Sequence, residues 1–237
     1  MKLKNKIFIG IIVAVLVLAI VCVSIYYFAI LLPKKREEEK LKKLFAEHYE
    51  NRVKIFEQEN LQFEDFAVDI AFLGDSLTEG YDVKGFYSNY NVVNRGIGGD
   101  TTFGLEKRLK VSAYDLKPKV IVMLIGANNL KTMFENYEDI LIGLKENLPQ
   151  TKVVLLSLTS MGKDRGNNNQ LAAFNNAKIK NLADKFNFEF VDLFTPLLNV
   201  ETNEIYEEYT SDGGHLTAWG YEVVTAQVKP VLDNLLN

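Results

Sequence analysis

Residues 68–77 read VDIAFLGDSL, an apolar run that ends abruptly in glycine, aspartate and serine. A nearly continuous apolar run bounded by turn residues is typical of a strand covered on both faces, as in a parallel sheet. Four further runs of this kind follow, so the predicted strands are residues 68–73, 91–94, 120–125, 153–158 and 188–193.

Segments with helical spacing of apolar residues separate most of these runs. They lie at residues 103–109, 137–148 and 171–186, and a last helix is expected from about 217 to 236. Alternating strands and helices imply a parallel sheet with helices on both faces. We therefore predict an α/β protein, a three-layer α/β/α sandwich with a five-stranded parallel sheet. The polar run MGKDRGNNN at 161–169 is interpreted as a mobile loop after the fourth strand.

The composition is that of a folded protein with an acidic body. Of 237 residues, 48% are hydrophobic and 24% charged, which excludes a disordered or low-complexity chain. Three of the 27 basic residues lie in the first 32 positions, which leaves 24 basic against 31 acidic residues in the remainder. A net charge of −7 argues against a general nucleic-acid binder, because such proteins need a basic face.

Metal and disulfide chemistry have few candidate residues in this sequence. Cys22 is the one cysteine, so an intrachain disulfide and a cysteine-based metal site are excluded. The two histidines are His48 and His215, too few for most histidine-rich metal sites. We expect no metal and no cofactor.

The chain begins with a candidate membrane anchor. Residues 7–32 carry no charge, and a helix of that length reaches about 39 Å, enough to cross a hydrocarbon core of about 30 Å. Lysines precede the run at Lys2, Lys4 and Lys6. A cleaved signal peptide is the alternative, but its apolar region is shorter and ends in small residues. Acylation of Cys22 is a further alternative, and Val21 before it is bulky.

Positive charge flanks both ends of the apolar run, since Lys34, Lys35 and Arg36 follow it. We favour a single-pass protein of the cell membrane with the body outside the cytoplasm, because the leader resembles an uncut export signal. Residues 34–58 have amphipathic helical spacing, and His48 is interpreted as a solvated residue of that helix. The predicted divisions are a cytoplasmic stub and anchor at 1–32, an amphipathic connecting helix at 33–62 and a domain at 63–237 that contains the α/β/α sandwich.

Chemically useful residues follow the predicted strands. In open parallel sheets, ligands bind outside the carboxyl ends of the strands. The segments there are GDSL at 74–77, NRGIGGDT at 94–101, GANN at 126–129 and, near the C-terminus, SDGGHL at 211–216. A serine, glycine-rich backbone, an amide and an Asp-x-x-His pair are what acyl transfer needs: a nucleophile, an oriented base and donors for an oxyanion.

These four segments, in this order, make the chain resemble the SGNH (GDSL-type) hydrolases over about residues 67–225. The stretch NRGIGGDTT is similar to the branch of platelet-activating-factor acetylhydrolase-like and bacterial esterases. The resemblance implies a flavodoxin-like sandwich and a serine ester hydrolase. It implies Ser76 as nucleophile, His215 as general base and Asp212 as the residue that orients the imidazole. It also implies an oxyanion hole made of the N–H groups of Ser76 and Gly99 and the side-chain amide of Asn128.

The chain departs from the family pattern at one position. Asn129 stands where the third segment normally has aspartate, so the surroundings of Asn128 are expected to differ. The glycines at 96, 98 and 99 do not form a nucleotide-binding pattern, because the required glycine is replaced by Thr101. A tight turn with positive φ is the simpler interpretation of Gly99.

Structural explanations exist for several of these residues. Ser76 could cap a helix, and Asp212 could be a turn residue, in which case His215 would act in a dyad. Loop-bracing roles are predicted for Asp75, Asn94, Asp100 and Thr101, and packing roles for Trp219 and Tyr221.

The sequence thus predicts a membrane-anchored esterase acting on a small-molecule or envelope acyl ester. Acetylated polysaccharides, lysophospholipids and thioesters all remain candidate substrates, and a silent module that binds a glycan or partner is the alternative class. The oligomeric state is not predicted.

Overall fold

In a computed structural model, which describes residues 2–237, the chain divides into two compact units, one ending at Glu47 and one formed by His48–Asn237. The first unit is helical. Helix α1 (Lys2–Tyr26) runs into a π-helical turn at Tyr27–Leu31, and helix α2 (Leu32–Asn60) begins here and ends in the second unit. The second compact unit therefore starts inside the segment predicted as a connecting helix.

The apolar leader is helical, as its composition predicts. In the described part of the chain, one helical stretch beginning at Ile7 is long and apolar enough to cross a membrane. The same length and composition suit a membrane span and an export signal, so the anchor stays a prediction. The side chains of Lys2, Lys4 and Lys6 lie outside the described part.

The second unit is built on a five-stranded parallel sheet in the order β2-β1-β3-β4-β5. The strands are β1 (Ile70–Gly74), β2 (Val92–Gly96), β3 (Val120–Leu124), β4 (Lys152–Leu156) and β5 (Glu189–Val191). This confirms the predicted sheet. The winding reverses between β1 and β3, and such a switch point opens a crevice at the carboxyl ends of the strands.

Helices cover both faces of the sheet, which confirms the three-layer sandwich. In β1, Ala71 and Leu73 face one core and Ile70 and Phe72 face the other. The first core includes residues of α5 (Thr102–Lys107), α6 (Tyr137–Asn147) and α7 (Asn169–Phe186), and the second includes residues of α9 (Ala218–Leu236). This two-residue alternation is the normal geometry of a strand. The helices after α2 are α3 (Ser76–Glu79), α4 (Val83–Phe86), α5 (Thr102–Lys107), α6 (Tyr137–Asn147), α7 (Asn169–Phe186), α8 (Phe194–Leu197) and α9 (Ala218–Leu236).

The prediction for residues 161–169 is wrong in its local structure. Residues Lys163–Asn168 form a 3₁₀ helix that leads directly into α7. Asn169, which is 1% exposed, holds its start, because its side chain accepts from the N–H of Met161 and donates to the carbonyl of Met161, both at 2.8 Å. A polar run that contains a buried asparagine with two hydrogen bonds to the backbone is anchored to the fold rather than extended into solvent.

Candidate active site

Ser76 lies where β1 ends and α3 begins. Asp75 caps this short helix, since its Oδ1 accepts the N–H of Leu77 at 3.0 Å. The preceding Gly74 is required by space, because a Cβ there would collide with the side chain of Thr78. The turn therefore presents Ser76 at the carboxyl edge of the sheet, beside the switch point.

Asp212 and His215 lie on the loop that precedes α9. Asp212 Oδ1 accepts the N–H groups of Gly214 at 2.9 Å and of His215 at 2.8 Å, while its Oδ2 lies 2.8 Å from His215 Nδ1. Hydrogen bonds from the backbone and side chain of His215 hold the pKa of Asp212 well below its usual range. Gly213, with φ of +86°, supplies the left-handed residue that closes this loop.

The imidazole of His215 connects the two loops. Its Nε2 lies 3.0 Å from Ser76 Oγ, although the two residues are 139 apart in the chain. Carboxylate, imidazole and hydroxyl are thus joined in one chain of hydrogen-bonding contacts, which is the geometry of a nucleophile next to an oriented base. The predicted proximity of these three residues is observed.

The predicted oxyanion donors lie on the two neighbouring loops. Asn128 lines the same cavity of about 310 Å³ as Ser76 and His215. Its Nδ2 also donates to the carbonyl of Asp100 at 2.8 Å, which ties it to the loop that carries Gly99. Gly99 has φ of +76°, as the turn interpretation predicts, and is exposed. In the described part of the chain, Gly99 is not among the residues that line this cavity.

A buried arginine braces the ends of β1 and β2 beneath these loops. Arg108 is 1% exposed and donates to the carbonyls of Gly74 and Arg95 at 2.8 Å each. Its Nε also donates to Asp100 at 2.8 Å. Burial raises the pKa of Asp100, and the Arg108 guanidinium opposes that shift. Asp100 is therefore a bracing residue, as predicted.

Other bracing predictions are confirmed as well. Asn94 donates to the carbonyl of Thr78 at 2.6 Å, and Thr101 caps α5 through the N–H of Gly104. Asn129 bonds both polar groups of Thr102: its Oδ1 accepts the N–H at 3.3 Å and its Nδ2 donates to the hydroxyl at 2.9 Å. An asparagine suits this position because it can accept and donate together, which an ionised aspartate cannot.

The sequence interpretation missed Arg165. Its guanidinium lines the cavity that contains Ser76, and its Nη2 lies 3.3 Å from Asp212 Oδ2. It lies in the polar run at 161–169, which the sequence predicts to be a mobile loop, and no spacing or motif distinguishes it from the polar residues around it.

Two further assignments need correction. Trp219 is 61% exposed rather than packed, whereas Tyr221 packs as predicted, stacked on Tyr81 at 4.9 Å between ring centroids. His48 is not simply solvated, because its Nε2 lies 3.0 Å from Glu79 Oε2. Both differences depend on how a helix is rotated against its neighbours, and helical spacing alone does not fix that rotation.

Asp75 is the most strongly perturbed carboxyl near the site. It is 1% exposed, and burial raises its pKa to about 7. Its Oδ2 has no hydrogen-bond partner within the described part of the chain. Within residues 2–237, no group of three or more histidine, cysteine, aspartate or glutamate side chains is arranged to hold a metal ion.

Comparison with known proteins gives a family and a set of related folds. Residues 72–223 match the GDSL-like Lipase/Acylhydrolase family. Among curated proteins, none matches the chain significantly.

Solved structures resemble the chain over most of their length. One from Streptococcus pneumoniae, provisionally described as a platelet activating factor, has a TM-score of 0.76 at 25% identity and covers 84% of this chain and 99% of its own. A GDSL-like lipase from Bacteroides thetaiotaomicron VPI-5482 has a TM-score of 0.69 at 24% identity and covers 78% of this chain and 98% of its own. A catalytic mutant of an acetylxylan esterase from Geobacillus stearothermophilus has a TM-score of 0.59 at 16% identity and covers 71% of this chain and 95% of its own. The last two likenesses are of fold alone.

Proposed function

The chain belongs to the GDSL-like lipase/acylhydrolase family and is an ester hydrolase, and from this premise we propose that it is a membrane-anchored serine esterase that uses Ser76, His215 and Asp212. The observation that carries the proposal is the 3.0 Å separation between Ser76 Oγ and His215 Nε2, with Asp212 Oδ2 at 2.8 Å from the opposite ring nitrogen. A serine hydroxyl is a weak nucleophile until a base in this position takes its proton.

The reaction proceeds in two halves. His215 Nε2 takes the proton of Ser76 as Oγ attacks the carbonyl carbon of the ester, and the carbonyl oxygen becomes an oxyanion. The imidazolium then gives that proton to the departing alcohol oxygen, which leaves an acyl group on Ser76. Water, deprotonated by His215, attacks the acyl carbon, and the carboxylic acid leaves as Oγ recovers its proton.

The oxyanion is stabilised by donors aimed at its position. We assign these to the N–H groups of Ser76 and Gly99 and to Asn128 Nδ2, which lies on the wall of the same cavity. Asp212 keeps the imidazole in the productive orientation and stabilises the imidazolium; its lowered pKa keeps it ionised while it does so.

The proposed location is the cell membrane, with α1 as the anchor and the hydrolase unit outside the cytoplasm. The support is the uncharged run at 7–32 and the length of the helix that contains it. A site held close to an envelope and to lipid has polysaccharide acetyl esters, lysophospholipids and thioesters within reach.

A short acyl group is the proposed substrate feature. The cavity at Ser76 is about 310 Å³, at the small end of ligand pockets. A series of p-nitrophenyl esters from acetate to palmitate tests this feature. Highest kcat/KM at two to four carbons supports it, and a maximum at long chains favours a lipid substrate instead.

The decisive experiment compares Ser76→Ala with Ser88→Ala in the full-length protein in mild detergent. Ser88 is exposed in a turn outside the site and serves as the matched control. We expect Ser76→Ala to abolish turnover of p-nitrophenyl acetate and labelling by a fluorophosphonate probe, while Ser88→Ala keeps both. Wild-type protein that neither turns over esters nor accepts the probe would instead support a silent binding module.

A further inference from the structure

The C-terminal part of α2 packs against the segment that carries Gly99. Phe56 is fully buried there with Ile97 and Val111, and Tyr49 and Val53 lie at the edge of the cluster. Besides this apolar contact, the two segments are joined by polar groups.

Glu79 is the centre of these polar contacts. It is the last residue of α3, the helix that begins with Ser76. Its Oε2 accepts the N–H of Gly98 at 2.6 Å and lies 3.0 Å from His48 Nε2. Its Oε1 lies 3.2 Å from Arg52 Nε. One carboxylate, carried by the helix that begins with Ser76, therefore contacts both the glycine loop and helix α2.

Between the buried residues Ile97 and Asp100, the two glycines of the loop need support from other segments. Gly98 and Gly99 have no side chains, and Gly99 adopts a positive φ in an exposed position. A peptide N–H can stabilise an oxyanion only if it is already aimed at it. The Glu79 carboxylate fixes the N–H of Gly98, which is the neighbour of the proposed donor. On the other side, Asn128 fixes the carbonyl of Asp100 at 2.8 Å.

Helix α2 in turn holds the carboxylate in place. His48 and Arg52 are one helical turn apart, so both side chains reach the same side of Glu79. Arg52 also donates to the carbonyl of Gly96 at 3.3 Å, two residues before Gly98. The side chain of Glu79 is 26% exposed, and those of His48 and Arg52 are 42% and 23% exposed, which leaves the cluster only partly screened by water.

We propose that Glu79 is a positioning residue that aims the Gly99 N–H at the oxyanion by holding Gly98, and that His48 and Arg52 make helix α2 part of this device. The inference rests on the proposed function, because it concerns the oxyanion hole of the same site. Helix α2, which follows the apolar leader, would then affect the rate of the reaction besides linking the hydrolase unit to the membrane anchor.

The test compares Glu79→Ala, Glu79→Gln and the control Glu57→Gln in the full-length protein. Glu57 is exposed on α2. We expect Glu79→Ala to lower kcat about 10- to 100-fold with KM within about twofold of wild type, since a misaimed donor weakens binding of the transition state only. Glu79→Gln keeps an acceptor for the Gly98 N–H and should recover most of kcat.

The affinity for an inhibitor that mimics the oxyanion distinguishes positioning of the donor from a merely structural role of Glu79. A trifluoromethyl ketone forms a tetrahedral oxyanion on Ser76, so its affinity should fall in parallel with kcat/KM in Glu79→Ala. Affinity for an unreactive substrate analogue, an amide of the same acid, should stay within about twofold of wild type. Unchanged kcat in Glu79→Ala overturns the inference, and so does a loss of kcat that is fully matched by loss of folded protein.

A second measurement covers the case in which Glu79→Ala does not fold. In protein labelled with ¹⁵N-glycine, the amide signals of Gly98 and Gly99 should shift in Glu79→Gln and in His48→Gln, but not in Glu57→Gln. Unshifted signals would contradict the inference. Failure of the proposed function gives a different result, because Ser76→Ala would then retain turnover.

Discussion

The side-chain amide of Asn128 donates to the carbonyl oxygen of Asp100 at 2.8 Å and thereby joins the loop after β3 to the loop after β2. An amide nitrogen has two N–H groups, and this bond uses one of them. The bond also fixes the side chain on the wall of the cavity that contains Ser76. The amide is therefore a brace between two loops, and in the proposed mechanism its second N–H group is a donor to the oxyanion.

Replacing Asn128 with alanine should lower kcat about 10²- to 10³-fold, the usual cost of losing one oxyanion donor. KM should change little, because the oxyanion exists only in the transition state. Steady-state kinetics on p-nitrophenyl acetate measure both constants. Lys131→Ala is the control, since it changes a side chain on an adjoining groove away from Ser76. A kcat for Asn128→Ala close to wild type would remove this residue from the oxyanion hole.

Asp212→Asn should reduce kcat by about 10³- to 10⁴-fold while leaving the loop folded. The asparagine oxygen still accepts the N–H groups of Gly214 and His215, but its NH₂ group cannot accept a hydrogen bond from Nδ1. Asp164→Asn is a matched control, because Asp164 is exposed on the nearby 3₁₀ helix. Turnover by Asp212→Asn within tenfold of wild type would favour a Ser–His dyad.

The stability of the wild type should depend on Asp75 between pH 4 and pH 7. Burial raises the pKa of this carboxyl to about 7 in the folded chain, whereas it is near 4 when unfolded. In that interval the folded protein binds the extra proton at Asp75. The contribution of this carboxyl to stability is therefore greatest below about pH 4 and is lost as pH rises through 7.

The asparagine in Asp75→Asn cannot ionise, so this variant should not lose stability in this way as pH rises. Between pH 4.5 and pH 8, the free energy of unfolding of Asp75→Asn should rise relative to that of wild type by about 3 kcal/mol, as measured by urea titrations at each pH. Oδ1 of the asparagine still accepts the Leu77 N–H, so the cap is retained. A constant difference between the two proteins across this range would contradict the assignment.

Phe56→Ala should destabilise the catalytic unit by about 3–5 kcal/mol. The ring is fully buried, and the guanidinium groups of Arg52 and Arg95 lie 4.8 and 4.7 Å from its centroid. The same substitution at Phe45, which is 48% exposed on the same helix, should change the free energy of unfolding by less than about 0.5 kcal/mol. Equal effects at the two positions would show that α2 does not pack as described.

Deleting residues 2–32 should release the hydrolase unit into the soluble fraction with its kcat unchanged. The full chain should stay with the membrane pellet after a carbonate wash, because its apolar run is long enough to span. If the protein expressed with its leader is instead soluble, and mass spectrometry shows that about 30 residues have been removed, the leader is a cleaved signal.

The sequence contained enough information for the sheet and for the central contact of the site. Apolar runs mark the strands, and strands that run parallel bring Gly74 and Gly96 to one edge, where the pairing register sets them opposite each other. Ser76 follows β1 directly, whereas His215 lies well beyond β5 on the loop before α9. Its position beside Ser76 was predicted from the family resemblance and not from the strand pattern. The two-residue strands β6 (Leu198–Asn199) and β7 (Glu204–Ile205) were not predicted, because so short a segment has no periodicity.

What the sequence could not predict depends on docking angles. The contact between His48 and Glu79 joins residues 31 apart on two helices, and amphipathic spacing does not say which polar residue meets which. The exposure of Trp219 and the approach of Arg165 to Asp212 have the same origin. Each is decided by the rotation of one element against another, which involves many weak contacts rather than one motif.

The 139 residues that separate Ser76 from His215 along the chain have a consequence in time. A ribosome makes the proposed nucleophile and the glycine loop well before it makes the proposed base. A nascent chain that has already folded its first strands still lacks the imidazole that would activate the serine. In the proposed mechanism, ester cleavage therefore waits until the segment that carries His215 has been made and has reached the edge of the sheet.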